Sequence, residues 1–204
     1  SKVGSDHHAD YLQNELTEAG VNNLQTLVRS EDHMTSTVFV GVDQDGERTF
    51  ISYHGALSDF NLADFDEEHL LSAEMLIYPD FFNLPKFDKL DLLALLQKAQ
   101  QQGTLTLLDE TWGILGLEKE LLEKALPYLD FVMPSMDDLQ QMYPEYNPED
   151  IANHLISLGA RNVILKLGAD GVMFVSSNHK FIVPPVTKPN DVVDCTGAGD
   201  NFNA

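Results

Sequence analysis

The chain has 204 residues, 43% of them hydrophobic, with a formal net charge of −21 and a single cysteine. That length supports one sizeable core, and no apolar run approaches the ~18 residues that a membrane span needs. The acidic balance argues against nucleic acid or an anionic membrane as partner, and one cysteine excludes an internal disulfide framework and fits a reducing cytoplasm.

The opening stretch, Ser1-Lys2-Val3-Gly4-Ser5-Asp6, reads as the middle of something, and no signal peptide is visible. His7 and His8 stand beside Asp6 and Asp10. Adjacent histidines point apart on a helix and no second cluster completes a metal site, so they read as solvated helix-start residues. Ala9–Ala19 is predicted helical, with Leu12, Leu16 and Ala19 on one face and Gly20 as the stop. Leu24–Val28 is predicted as a short strand. Thr35–Val42 and Arg48–Tyr53 are β-prone runs joined through Asp43-Gln44-Asp45-Gly46-Glu47, whose Asp-Gly is a hairpin signal. The remaining ligands of a calcium loop are absent there, so the segment reads as a turn.

From Asp64 the pattern becomes helix then strand, repeated. Asp64–Ser72, Lys86–Gln102, Glu118–Tyr128 and Pro148–Leu158 read as helices; Met75–Tyr78, Thr104–Leu108, Asp130–Met133 and Asn162–Leu167 read as strands. Gly103 and Gly159 end two of the helices. Val172–Val175 and Phe181–Val183 form a hairpin pair, with Pro184-Pro185 breaking the second strand. The expected fold class is α/β: a three-layer, mostly parallel sheet flanked by helices, with a small β lid at about 35–56 inside one domain spanning 1–204. Ligands in such sheets sit beyond the carboxyl ends of the strands. That rule singles out Asp109, the Pro134-Ser135-Met136-Asp137-Asp138 segment and Gly168-Ala169-Asp170-Gly171. Ser135 with Asp138 three residues on also has the form of a helix cap.

The chain closes on Asp194-Cys195-Thr196-Gly197-Ala198-Gly199-Asp200-Asn201-Phe202-Asn203-Ala204. Three small residues in a row let backbone N–H groups approach an anion, and Asp200 follows at once. Amides around a transferring phosphoryl and a carboxylate to take a hydroxyl proton suit phosphoryl transfer. A glycine-rich strand-to-helix turn with no ligand has the same appearance. The Gly-x-x-x-x-Gly-Lys-Ser/Thr phosphate loop is absent, and Phe202 stands where a dinucleotide fingerprint needs its third glycine. With this net charge, a nucleotide site has to be made locally positive by backbone dipoles, a metal ion or a few lysines.

This terminal stretch resembles the signature of the ribokinase, or PfkB, family of carbohydrate kinases, Asp-Thr-x-Gly-Ala-Gly-Asp, with Cys195 as the one change. Val3, Gly4 and Asp6 match the family's Gly-x-Val-Gly-x-Asp stretch. Gly55-Ala56 matches the Gly-Ala that follows its lid hairpin. Lys166-Leu167-Gly168-Ala169-Asp170-Gly171 matches Thr-Leu-Gly-x-x-Gly, with Lys166 in place of Thr. Where the family has Pro-Asn-x-x-Glu, this chain has Ser135 and Asp138, an aspartate one methylene shorter than the glutamate. The resemblance runs from Lys2 to Ala204 and implies a chain incomplete at both ends, without the earlier Gly-Gly and Asn sugar positions and the later adenine side.

The resemblance implies an ATP- and Mg2+-dependent kinase of a small sugar or sugar acid. It assigns the general base to Asp200 and charge stabilisation to the amides of Gly197, Ala198 and Gly199. It assigns the nucleotide to Ser135, Lys166, Gly168 and Gly171, and magnesium to Asp138. A monovalent cation such as K+ falls to Asp194 and Thr196, and the sugar to Thr37, Phe39, Tyr53 and Gly55; Asp109, by its place at a strand end, is a candidate to orient a sugar hydroxyl or a magnesium-bound water, or a strand-end cap. Trp112 lies just beyond Asp109, where packing is the expected role. The lid is a candidate homodimer contact. A catalytically silent sugar- or nucleotide-sensing relative, or an unrelated α/β nucleotide-binding protein, are the alternatives. The sugar itself is not identified by these residues.

Overall fold

The computed structural model describes residues 1–44, 48–110, 118–186 and 197–203. It opens with a strand, β1 (Lys2–Gly4), that runs into α1 (His7–Glu18) through Asp6. One Asp6 oxygen accepts from the Ala9 N–H (3.0 Å) and from the Thr35 hydroxyl (2.7 Å), and the other accepts from the Thr35 N–H (2.7 Å). Those donors, the Thr35 N–H foremost, lower the Asp6 carboxyl to about 2. His7 and His8 are exposed on the first turn, as expected of solvated helix-start residues.

The predicted strand at Leu24–Val28 is not formed. Leu24–Thr26 is instead a single 3-10 turn. Its donors are satisfied locally: the Leu27 N–H reaches the Leu24 carbonyl, and the Thr26 hydroxyl reaches the Asn23 carbonyl at 2.7 Å. The strand starts later, as β2 (Val28–Ser30), which pairs in parallel with β1. The hairpin stands where expected, as β3 (Thr37–Val42) and β4 (Arg48–Tyr53) in antiparallel register, with Thr37 opposite Tyr53 and Phe39 opposite Ile51. It forms its own two-stranded sheet. Both faces are open: Phe39 and Ile51 are each 67% exposed on one, and Val42 is 64% exposed on the other. The hairpin base is tied down beyond Gly55, where the Ala56 N–H donates to the Met34 carbonyl at 2.8 Å.

After the short helix α2 (Glu67–Leu71), strand β5 (Met75–Phe81) begins the main sheet. The chain leaves β5 through Phe82, a buried residue with φ of 86°. Asp88 holds this corner. It accepts from the Tyr78 hydroxyl at 2.6 Å and the Leu84 N–H at 3.0 Å, and burial pushes its carboxyl up to about 6.

The single helix predicted over Lys86–Gln102 is two, α3 (Pro85–Leu90) and α4 (Leu92–Gln102). The break falls at Asp91, whose carboxylate accepts from the distant Leu62 N–H at 3.1 Å. Strand β6 (Leu105–Glu110) follows, then α5 (Glu118–Ala125), β7 (Phe131–Val132), α6 (Met136–Met142), α7 (Pro148–Ser157) and β8 (Asn162–Lys166). The chain then turns back through β9 (Val172–Ser176) and β10 (Lys180–Val183).

The six strands lie in the order β10-β9-β8-β7-β6-β5. Strands β5 to β8 are parallel, and β9 and β10 are antiparallel. The fold is therefore α/β, with a mixed, mostly parallel sheet and a separate antiparallel hairpin. Each parallel strand adds on the same side of the one before it. Right-handed crossovers of that kind bring their helices to one face. There Phe87, Leu92, Leu96, Leu122, Leu139, Ile151 and Leu155 from the helices meet Leu108, Val132, Val163 and Leu165 from the strands, all at most 2% exposed. Each such side chain contributes about 1.5–3 kcal/mol by leaving water. An apolar cavity of about 580 Å³ lies beside β5, lined among others by Thr26, Leu57, Phe65, His69 and Ile77. No described helix is long and apolar enough to cross a membrane.

Candidate active site

The carboxyl ends of β6, β7 and β8 lie side by side, and each delivers a polar residue. At the end of β6, Asp109 is buried, with its side chain only 12% exposed. At the end of β8, Lys166 reaches across, and its ammonium donates to both Asp109 oxygens at 2.7 Å. Ser135, just past β7, bridges in parallel to Lys166, whose N–H donates to the Pro134 carbonyl at 2.9 Å.

Ser135 is also the cap of α6. Its hydroxyl accepts from the Asp138 N–H at 3.1 Å and donates to the Asp138 carboxylate at 2.6 Å. The cap expected from the spacing is therefore formed. Burial raises the Asp138 carboxyl above the ordinary carboxylate range. The Ser135 bond and the Lys166 charge oppose that rise, and the Asp137 and Asp109 charges add to it.

The terminal turn joins this group. Gly197, with φ of 77°, opens a short helix, α8 (Ala198–Asn203). The Asn201 N–H and side-chain amide both donate to the Gly197 carbonyl at 3.0 Å. Asp200 is exposed, and its carboxylate folds back toward Gly197, lying 3.8 Å from where a Cβ on that glycine would stand. A Cβ on Gly199 would stand 3.9 Å from the Lys166 ammonium. Asn203, one turn after Asp200, donates to Asp109 at 2.5 Å.

Gly168 and Gly171 border the turn that follows Lys166. The Leu167 N–H donates to the Gly171 carbonyl at 2.8 Å. Gly171 takes φ of 90°, and a Cβ there would collide with the Val183 carbonyl at 2.1 Å, so the position excludes any side chain.

The strand ends thus bring together Asp109, Ser135, Asp138, Lys166, Gly168, Gly171 and the Gly197–Asp200 turn. Thr37, Phe39 and Tyr53 share one face of the separate hairpin, and Gly55 follows its second strand. Asp194 and Thr196, with Cys195 between them, lie outside the described residues, as does Trp112. Two features escaped the sequence reading. Asn203 carries a signal only in standing one helical turn beyond Asp200, and the pairing of Asp109 with Lys166 carries none. The arrangement offers a lysine, small residues with accessible backbone, two acidic side chains near the lysine and an exposed carboxylate. That donor set fits polyanionic phosphate and a proton acceptor beside it.

A family model described as pfkB family carbohydrate kinase matches residues 1–204. The 2-dehydro-3-deoxygluconokinase of Haemophilus influenzae is 24% identical, over 100% of this chain and 69% of its own length. The ATP-dependent 6-phosphofructokinase of Thermoanaerobacterium thermosaccharolyticum is 27% identical, over 99% of this chain and 63% of its own. The structure of Arabidopsis thaliana ribokinase complexed with ribose and ATP superposes with a TM-score of 0.81 at 21% identity, over 99% of this chain and 65% of that one.

Proposed function

The chain belongs to the pfkB family of carbohydrate kinases, and from that premise we propose that it transfers the γ-phosphate of ATP to a hydroxyl of a small sugar or sugar acid. The observation that carries the reading is the gathering of Lys166, Asp109, Asp138 and the Gly197–Asp200 turn at one rim of the sheet. The relatives' own substrates, a deoxygluconate acid and a hexose phosphate by their names and ribose in the solved complex, set the substrate class.

Asp200 is the general base. It is the exposed carboxylate of the turn, and it takes the proton from the attacking hydroxyl. The transition state of phosphoryl transfer is loose and the hydroxyl proton leaves late, so a strong base is not needed. The backbone N–H groups of Gly197, Ala198 and Gly199 face the charge that develops on the phosphoryl oxygens. Losing stabilisation of that kind typically costs about 100- to 1,000-fold in rate. Lys166, against Gly199, supplies positive charge in a strongly acidic protein, and Ser135 and the Gly168–Gly171 turn border the nucleotide.

The residues present also fit magnesium. Asp138 is a half-buried carboxylate whose charge burial disfavours, and it lies beside the Lys166 charge at the strand ends. Mg2+ held through Asp138 would neutralise the charge of the ATP phosphates. Segment 35–56 is the lid of a single ribokinase-like domain and presents Thr37, Phe39 and Tyr53 to the sugar. Its other open row, with Val38, Val40, Val42 and Phe50, is the contact between two copies, an assignment that sedimentation as a monomer at assay concentration would remove. A cytoplasmic location, where ATP is available, goes with this reading.

A coupled assay of ADP release, with ATP, magnesium and a panel of ribose, fructose, 2-keto-3-deoxygluconate and nucleosides, tests the proposal. Release is expected only with an accepted sugar. Asp200→Asn is expected to lower kcat by at least about 100-fold while leaving the melting temperature unchanged. Nucleotide binding without sugar-dependent ADP release, or ordinary turnover in that variant, refutes it.

A further inference from the structure

We propose that Asn203 is a positioning residue: it pins the helix that carries Asp200 to the end of β6 through Asp109, and Asp109 in turn holds the Lys166 ammonium against Gly199. This rests on the kinase reading above. Within helix α8, Asp200 lies in the first turn and Asn203 one turn later. Its Asn201 bonds to Gly197 are local and fix only the turn. Among the described residues, the hydrogen bond from the helix to the sheet is the Asn203 amide on Asp109 at 2.5 Å, across 94 residues of sequence. Asn203 stands three residues after Asp200, so both side chains project from one side of the helix. Pinning one sets the direction of the other.

The chemistry of the position favours an amide. Asp109 is already neutralised by the bidentate Lys166 contact, and both side chains are largely buried, at 12% and 18% exposed. A lysine at 203 would compete with Lys166 for the carboxylate. An aspartate would place a second negative charge at hydrogen-bonding distance from the first. An apolar residue would avoid the unpartnered Asn203 oxygen, but it would leave Asp109 without this donor. The asparagine is thus explained by its N–H donor, the one group that holds Asp109 without disturbing its pairing with Lys166.

Four measurements on the intact protein test this. Asn203→Ala is expected to speed amide hydrogen exchange across residues 197–203 and to lower kcat by about 10- to 100-fold, the scale of a misplacement near 1 Å, with KM for ATP nearly unchanged. Asn203→Asp sets a second carboxylate against Asp109 in place of the amide donor, and is expected to lower kcat at least as far as Asn203→Ala does. Asp109→Asn is expected to lower kcat as well. The double variant Asp109→Asn with Asn203→Asp exchanges donor and acceptor across the same contact, so it is expected to recover part of the kcat that either single variant loses. Unchanged exchange in Asn203→Ala, unchanged kcat in a sugar-active enzyme, or a double variant no better than the singles overturns the assignment. Faster exchange in Asn203→Ala, with no sugar phosphorylated even by the parent, removes the kinase reading and leaves the tether standing.

Discussion

Replacing Asp88 by asparagine is expected to remove a fall in stability that the parent shows as pH rises. Asp88 sits in the corner after β5, about 2% exposed, with donors from Tyr78 and Leu84. Burial outweighs those bonds and lifts its carboxyl to about 6. In the unfolded chain the same group titrates near ~3.9. Between those values the native state keeps the proton and the unfolded state has released it. Stability therefore declines as pH rises through this window, and the full cost is present above the folded pKa. A shift of about 2 units at ~1.36 kcal/mol each comes to about 3 kcal/mol.

Asparagine carries no charge at any pH. Its altered hydrogen bonding adds a penalty of about 1 kcal/mol that does not vary with pH. The variant should therefore be near the parent or slightly weaker at about pH 4, and more stable than the parent by about 2 kcal/mol at about pH 7.5. Urea unfolding followed by circular dichroism across that range measures both, and every other carboxylate cancels in the difference. Parallel stability curves for the two proteins, with no divergence between pH 4 and 7, would refute the argument that burial governs this carboxyl.

Lys166→Met leaves Asp109 buried without its cation, and should cost about 3 kcal/mol in urea unfolding together with a higher KM for ATP; an unchanged midpoint would mean that the pair is not held in solution. Gly171→Ala forces a Cβ onto the Val183 carbonyl at positive φ, so a loss of about 1–3 kcal/mol and a weakened β9–β10 edge are expected by hydrogen exchange. Asp6 has a lowered folded pKa of about 2, so its contribution is present above the unfolded value near ~3.9 and disappears as pH falls through 2. Asp6→Asn should flatten that part of the acid-unfolding curve, and an identical acid midpoint in both proteins would contradict the capping role.

The parallel sheet was legible because its strands are short apolar runs separated by helices with glycine stops at Gly103 and Gly159. The Ser135–Asp138 cap was legible for the same kind of reason: both partners lie within one turn. The break at Asp91 was not, because it goes with a bond to Leu62, 29 residues away, while the local pattern of apolar residues runs through it unbroken. The turn at Leu24–Thr26 looked like a strand because its composition is β-prone, and its local hydrogen bonds decide otherwise. At the site, the terminal motif announced itself by spacing. The Asp109–Lys166–Asn203 group did not, since its members are 57 and 94 residues apart and only the sheet order brings them together.

The one-way march of strands β5 to β8 gives the molecule two unlike ends. At the amino ends of the strands, Asp130 accepts from the Thr106 N–H and hydroxyl and pairs with Arg161, bracing three neighbouring strand starts. The tight turn at Gly159 packs directly on Pro127 nearby. Nothing reactive is asked of that end, so it can be tuned for rigidity alone. The far end carries Asp109, Ser135 and Lys166, and its loops are free to change while the bracing below keeps the strands aligned.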